Sequence, residues 1–223
     1  LCKKATEPMP PIPQACTSIS SLCHMQGFAI LDGGMGTELQ NSGADVGHPL
    51  WSAIAMTQRE GRQLVEKIHY DFLSSGADIL ITNSYKLSRQ LIENIARDYP
   101  DRLPAGLTPK DAKELLTETI ECANRAVEDF WYTAPPDRRT YKPLVAASIG
   151  PYGNCFPFTS LEYTGDYKDS QETIRDYHLE RVEAMYLAEP PPVCVAAETI
   201  PSLKETKALV DVCNISKKKM WIA

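Results

Sequence analysis

Short apolar runs alternate with amphipathic stretches along most of the chain. The amphipathic stretches repeat their apolar residues at spacings near 3.6, which predicts helices. They lie at residues 64–73, 88–97, 109–130, 170–187 and 202–213, and Gly76 ends the first of them. The apolar runs predict buried strands at residues 28–31, 79–81, 144–147, 193–197 and 220–222. This alternation is typical of parallel βα units covered on both faces.

Two architectures fit such a chain, a doubly wound sheet and a (β/α)8 barrel. In both of them, the residues that follow the strands gather at one edge of the sheet and form the functional site. Polar residues follow four of the predicted strands here. They are Asp32, Asn83, Ser148 and Glu198.

The chain divides into a short tail and one domain. Residues 1–25 are polar and contain four closely spaced prolines, so we expect a flexible tail there. Residues 26–223 form the domain. Because the chain opens with Leu1 and stops within the apolar run at 220–222, we expect a longer protein that is interrupted at both ends, with the domain incomplete at its C-terminus.

Composition narrows the classes of partner. Hydrophobic residues make up 43% of the chain and charged residues 23%, and the net charge of -6 argues against nucleic acid or an anionic membrane as partner. We find no apolar run long enough to span a bilayer. The seven cysteines include no Cys-x-x-Cys pair, which favours a reducing compartment, and we expect a cytoplasmic protein.

Two carboxylates are the main candidates for chemistry. Asp32 precedes Gly33 and Gly34, where the backbone can approach a ligand closely, but a tight turn capped by Asp32 explains the same residues. Glu198 directly follows a strand, and its alternative is a cap on the next helix. The pair is suited to acid/base catalysis, as in glycosidases, or to binding an ammonium group, and local sequence leaves both open.

The histidines and cysteines show no metal-ligand spacing. His69 and His178 fall within predicted helices, where we expect surface or packing roles. Cys155, Cys194 and Cys213 are expected to fill core or loop space. The long loop after residue 149 is either functional or a disordered insertion.

Six segments, in order, resemble the motifs of homocysteine S-methyltransferases, especially the branch that uses S-methylmethionine or S-adenosylmethionine. They are residues 31–39, 50–52, 76–85, 150–153, 162–167 and 198–201. The resemblance implies a (β/α)8 TIM barrel in which zinc holds homocysteine as a thiolate that attacks a sulfonium methyl donor. It also implies that Asp32 and Glu198 bind the amino group of homocysteine, with the backbone of Gly33 and Gly34 nearby.

The sequence departs from that family pattern at several points. The resemblance places the zinc cysteines after the sixth and eighth strands, so we expect a barrel truncated to about five strands and no metal ligand within this chain. Lys86 stands where the family pattern leads us to expect Gln, and three prolines precede the strand at 193–197. The alternatives to an active methyltransferase are a truncated non-catalytic fragment, a pseudoenzyme of the family, and an unrelated barrel hydrolase.

Overall fold

The structure is a computed structural model that describes residues 16–138 and 140–223. Its centre is a parallel sheet whose strands are adjacent in chain order. The strands are β1 (Ile79–Ile81), β2 (Leu144–Ile149), β3 (Cys194–Ala197) and β4 (Met220–Ile222). The sequence therefore predicted these four strands and their parallel pairing correctly.

The predicted strand at residues 28–31 is present only as a single parallel bridge between Leu31 and Ile79. Backbone hydrogen bonds continue this contact, since the Asp32 N–H donates to the Ile79 carbonyl and the Ile79 N–H donates to the Ile30 carbonyl. Ile30 and Leu31 remain close to half exposed at this edge of the sheet. The segment pairs with β1 as expected, but it is too short for a regular strand.

Eight α-helices lie within the described residues. They are α1 (Ile19–Gln26), α2 (Met35–Asn41), α3 (Arg59–Ser75), α4 (Arg89–Asp98), α5 (Ala112–Thr133), α6 (Leu161–Thr164), α7 (Gln171–Met185) and α8 (Leu203–Ser216). Short 3-10 turns cover Trp51–Thr57, Pro100–Arg102, Pro109–Asp111, Pro136–Arg138 and Tyr152–Cys155. The helices predicted from periodicity correspond to α3, α4, α5, α7 and α8.

Local capping explains where several helices begin and end. The hydroxyls of Ser88, Ser170 and Ser202 each accept a hydrogen bond from the backbone N–H three residues later, at the starts of α4, α7 and α8. Gly76 ends α3 with a φ of 116°, a conformation that glycine adopts without strain.

The predicted flexible tail is wrong for its last residues, because α1 occupies Ile19–Gln26. Ser18 and Ser21 form a reciprocal capping box at its start, and the side chain of Leu22 is fully buried. Leu22 packs in an apolar cluster with strand residues such as Leu144 and Ala146, and this burial stabilises the helix. The proline-rich part of the predicted tail, residues 1–15, lies outside the described residues.

Successive residues of the strands face two different apolar clusters, as the period of two requires. Val145, Ala147 and Ile149 face the large cluster formed with the helices. Leu144 and Ala146 face a smaller cluster. Both faces of the sheet are thus covered, which explains why its strands read as unbroken apolar runs.

No helix among the described residues combines the length and the apolar character needed to cross a membrane.

Candidate functional site

A cleft of about 830 Å³ opens at the carboxyl edge of the sheet. The four polar residues predicted from the strand ends all line it: Asp32, Asn83, Ser148 and Glu198. The carboxyl ends of parallel strands meet at one edge, and this is why residues from distant parts of the chain converge there. The glycines of the 33–36 turn, Trp51, Tyr85, Lys86 and Glu162 complete much of the wall.

Asp32 is held in a position that penalises its charge. Its side chain is 2% exposed, its Oδ2 accepts a hydrogen bond of 2.9 Å from the Ile81 N–H, and its Oδ1 has no partner among the described residues. Burial, and to a lesser degree the charge of Glu198, raise the pKa of Asp32 from 3.8 to about 7, against the lowering effect of the Ile81 hydrogen bond. A nearby cation would favour the charged form again.

His69 lies behind Asp32 on α3 and does not supply that cation. Its Nδ1 is 3.9 Å from Asp32 Oδ2, and within the described part of the chain neither ring nitrogen has a hydrogen-bond partner. Complete burial lowers the pKa of His69 to about 3, so the ring is neutral near pH 7. Of the two roles predicted for His69, the packing role is confirmed and the surface role is wrong.

Gly33 and Gly34 let the chain turn tightly beside Asp32. A Cβ on Gly33 would lie 2.7 Å from Phe72 Cε1, so a side chain at this position would require the Phe72 ring to move. Gly34 is the N-cap residue of α2, without a side-chain cap. The carboxylate of Asp32 bonds to β1 instead, and the prediction that Asp32 caps this turn is wrong.

Glu198 follows β3 directly and continues its pairing, since its N–H donates to the Ile149 carbonyl over 3.1 Å. The side chain is half-buried. Burial raises the pKa of Glu198, and a hydrogen bond from Trp221 opposes that change. Because Ser202 caps α8, the alternative role of Glu198 as a helix cap is wrong. Both predicted carboxylates therefore face the cleft rather than serving a helix end.

An ion pair between Lys86 and Glu162 forms part of the cleft wall. The Lys86 ammonium lies 2.8 Å from Glu162 Oε2, and the Tyr85 hydroxyl donates to Glu162 Oε1 over 2.9 Å. Tyr85 also meets the edge of Trp51, with ring centroids 5.8 Å apart. Trp51 itself has a φ of 51°, an uncommon value for a large side chain. The sequence marked Lys86 as unusual but did not predict its pairing with Glu162.

A buried polar network fixes the long loop after β2. Glu205 on α8 is completely buried and accepts hydrogen bonds from His178 Nε2, the Tyr152 N–H and the Tyr167 hydroxyl. Burial raises the pKa of Glu205, but the hydrogen bonds from His178 and Tyr167 outweigh it and leave that pKa below its usual value. The loop is thus anchored, and the disordered-insertion alternative is wrong.

Sequence reasoning missed Glu205 entirely. The available signal was an acid among the residues of α8 that lie on its buried face with Ala208, Leu209 and Val212.

The residues around the cleft do not fit a zinc ion. Protein zinc sites use cysteine and histidine, with a carboxylate at most as a further ligand. The described residues that line the cleft include neither cysteine nor histidine. Glu66, Glu118 and Cys122 cluster elsewhere, between α3 and α5, but the Arg125 guanidinium already donates to all three. We therefore assign no chemical step to a metal.

Taken together, the parallel sheet and the cleft at its carboxyl edge define an α/β protein with a candidate ligand site that two acidic residues line. Residues 29–223 match the homocysteine S-methyltransferase family, and the chain belongs to that family. This confirms the family predicted from the sequence motifs. This family match also excludes the alternative of an unrelated barrel hydrolase.

Individual relatives agree with this assignment. Homocysteine S-methyltransferase 1 of Zea mays is 34% identical over 202 residues, which are 88% of this chain and 58% of that protein. A homocysteine S-methyltransferase of Bacillus subtilis is 34% identical over 181 residues, 81% of this chain and 53% of that protein. The chain thus spans a little over half the length of these curated relatives.

The fold is also similar to that of a solved family member. The metallated form of homocysteine methyltransferase MmuM from Escherichia coli superposes with a TM-score of 0.78 and 30% identity. The match covers 92% of this chain and 65% of the other.

Proposed function

We propose that the cleft binds homocysteine by its ammonium group, through Asp32 and Glu198, as the acceptor site of a homocysteine S-methyltransferase. The observation that carries this proposal is the pair of carboxylates facing one cleft, one of them buried with an oxygen that has no partner among the described residues. A pKa unit corresponds to about 1.4 kcal/mol, so ionising Asp32 in the folded chain costs on the order of 4 kcal/mol more than in the unfolded chain. An ammonium group offsets that cost.

The reaction in this proposal is an in-line methyl transfer between two sulfur atoms. The thiolate of homocysteine attacks the methyl carbon of a sulfonium donor, S-methylmethionine or S-adenosylmethionine, and a new sulfur–carbon bond forms. The old bond breaks, and its electron pair stays on the donor sulfur, which leaves as a neutral sulfide. Methionine is the product. Asp32 and Glu198 hold the acceptor in place and take no part in bond making.

Several features of the whole protein remain predictions. They are the closed (β/α)8 barrel, the catalytic zinc with ligands outside the described residues, the identity of the sulfonium donor and the cytoplasmic location. An assay of methionine formation from homocysteine and S-methylmethionine tests whether this chain turns over substrate or only binds it. Binding without turnover would make it a non-catalytic member or fragment of the family.

The acceptor proposal is tested by calorimetric titration of the chain with reduced L-homocysteine in buffers of different ionisation enthalpy. At about pH 6 Asp32 is mostly protonated, and binding of an ammonium group therefore releases close to one proton per ligand. At about pH 8 the release falls towards zero. Asp32→Asn abolishes the release and weakens binding by roughly tenfold to a hundredfold.

Two controls separate the ammonium contact from general effects. Asp101→Asn changes an exposed acid that does not line the cleft, and it leaves both affinity and proton release as in the parent. The ligand 4-mercaptobutanoate lacks the amino group and should bind weakly without proton release. Tight binding of that ligand, or homocysteine binding unaffected by Asp32→Asn and Glu198→Gln, would contradict the proposal.

A further inference from the structure

The lining of the cleft that contains Asp32 also carries a pair of opposite charges, and a third residue fixes their arrangement. Lys86 and Glu162 have side chains that are 25% and 9% exposed, and their charged atoms are 2.8 Å apart. The Tyr85 hydroxyl donates to the other oxygen of Glu162, which keeps this carboxylate from rotating. A long lysine side chain usually samples many rotamers, and this contact restricts it towards the cleft.

The Lys86 ammonium has hydrogen-bonding capacity left over. An ammonium group carries three donors, and within the described part of the chain Lys86 donates to Glu162 alone. Lys86 is also the only lysine or arginine among the described residues that line the cleft. An anionic group that enters the cleft has its strongest partner there.

The pair stands at the junction of two spaces. Trp51, Lys86 and Glu162 line the main cleft, and the same three residues line a neighbouring pocket of about 180 Å³. Phe156 and Phe158 bound this second pocket. A second small molecule therefore has room beside the one that the proposed function assigns to Asp32 and Glu198.

We infer that Lys86 and Glu162 bind the zwitterionic end of a second amino acid, the sulfonium methyl donor, with Lys86 on its α-carboxylate and Glu162 on its ammonium group. The inference rests on the proposed function, because two substrates must occupy the site together. Opposite charges held side by side complement an α-amino acid, which carries both charges on one carbon. Lys86 and Glu162 thus favour the amino-acid donors of the proposed function over a sulfonium compound that lacks these two groups.

The test is calorimetric titration of the full chain with S-methyl-L-methionine and, separately, with L-homocysteine. Lys86→Gln weakens binding of S-methylmethionine about tenfold, the effect of one hydrogen bond to a charged group, and changes homocysteine binding less than about twofold. Lys86→Arg keeps the charge and retains most of the affinity. Lys110→Gln is the matched control, since Lys110 is exposed and does not line the cleft.

A probe without the carboxylate distinguishes a contact from a structural effect. (3-Aminopropyl)dimethylsulfonium keeps the ammonium and sulfonium groups of S-methylmethionine, and it should bind equally to the parent and to Lys86→Gln. The inference would be overturned if Lys86→Gln bound this probe as much more weakly as it binds S-methylmethionine. It would also be overturned if Lys86→Gln weakened the binding of homocysteine and not of S-methylmethionine, or if it weakened the binding of neither ligand. A failure of the proposed acceptor site is recognised by a different result, because homocysteine binding would then be unaffected by Asp32→Asn.

Discussion

The most demanding consequence of the site is that Asp32 destabilises the folded protein once it is ionised. The carboxyl is buried beside Glu198, and one of its oxygens has no partner within the described residues, so its pKa rises to about 7. In the unfolded chain Asp32 loses its proton near 3.8. Between these two values the folded state holds a proton that the unfolded state has lost. The free energy of unfolding therefore falls as the pH rises through this window.

Asp32→Asn removes this dependence. The amide oxygen can still accept the hydrogen bond from the Ile81 N–H, and it carries no charge at any pH. Below about pH 4 the variant and the parent should be similarly stable, because Asp32 is then protonated in both states. Towards about pH 8 the free energy of unfolding of the variant should exceed that of the parent by up to on the order of 4 kcal/mol, since each pKa unit corresponds to about 1.4 kcal/mol.

The measurement is urea unfolding followed by tryptophan fluorescence, for the parent and the variant at a series of pH values from about 4.5 to about 8. The difference between the two free energies of unfolding cancels the titration of the groups that do not interact with Asp32. Asp101→Asn makes the same substitution at an exposed residue that does not line the cleft, and it serves as the control. A difference for Asp32→Asn that stays flat with pH, or one that falls as the pH rises, would refute the proposed effect of Asp32.

Two further substitutions test other parts of the structure. Glu205→Gln removes the charge that accepts hydrogen bonds from His178 and Tyr167 in a fully buried network, and it should cost about 3 kcal/mol of unfolding free energy in urea; a cost below about 1 kcal/mol would show that the network contributes little. Gly36→Ala places a Cβ 2.5 Å from Trp51 Cζ2, so the ring must move, at a cost of about 1–3 kcal/mol. The fluorescence of Trp51, isolated by difference from Trp51→Phe, should shift, and an unchanged spectrum would contradict the close contact.

The elements that depend on local pattern were predictable from the sequence. The period of 3.6 marked α3, α4, α5, α7 and α8, and Gly76 marked the end of α3, because helix periodicity and capping involve residues only a few positions apart. The continuous apolar runs marked β1 to β4, because strands covered on both faces bury every side chain. Residues that follow parallel strands must gather at one edge, so Asp32 and Glu198 could be placed in one site without coordinates.

Other features depend on partners distant in the chain, and the sequence did not reveal them. Its proline-rich start suggested a tail up to residue 25, although Leu22 is buried beneath the sheet and α1 forms around it. The sequence marked Lys86 as unusual, but its partner Glu162 lies 76 positions away. Periodicity shows which face of an element is buried, and it does not show which element covers that face.

The raised pKa of Asp32 also shows which properties the sequence predicts and which depend on the tertiary structure. The sequence determined that an acid follows the first apolar run, next to glycines that allow a ligand to approach. Only the tertiary structure decided that this acid is almost completely enclosed, with a neutral His69 next to it and Glu198 near enough to raise its pKa. The energy of a charge depends on the solvent and the charges that surround it in space, and that environment is created when distant segments of the chain pack together.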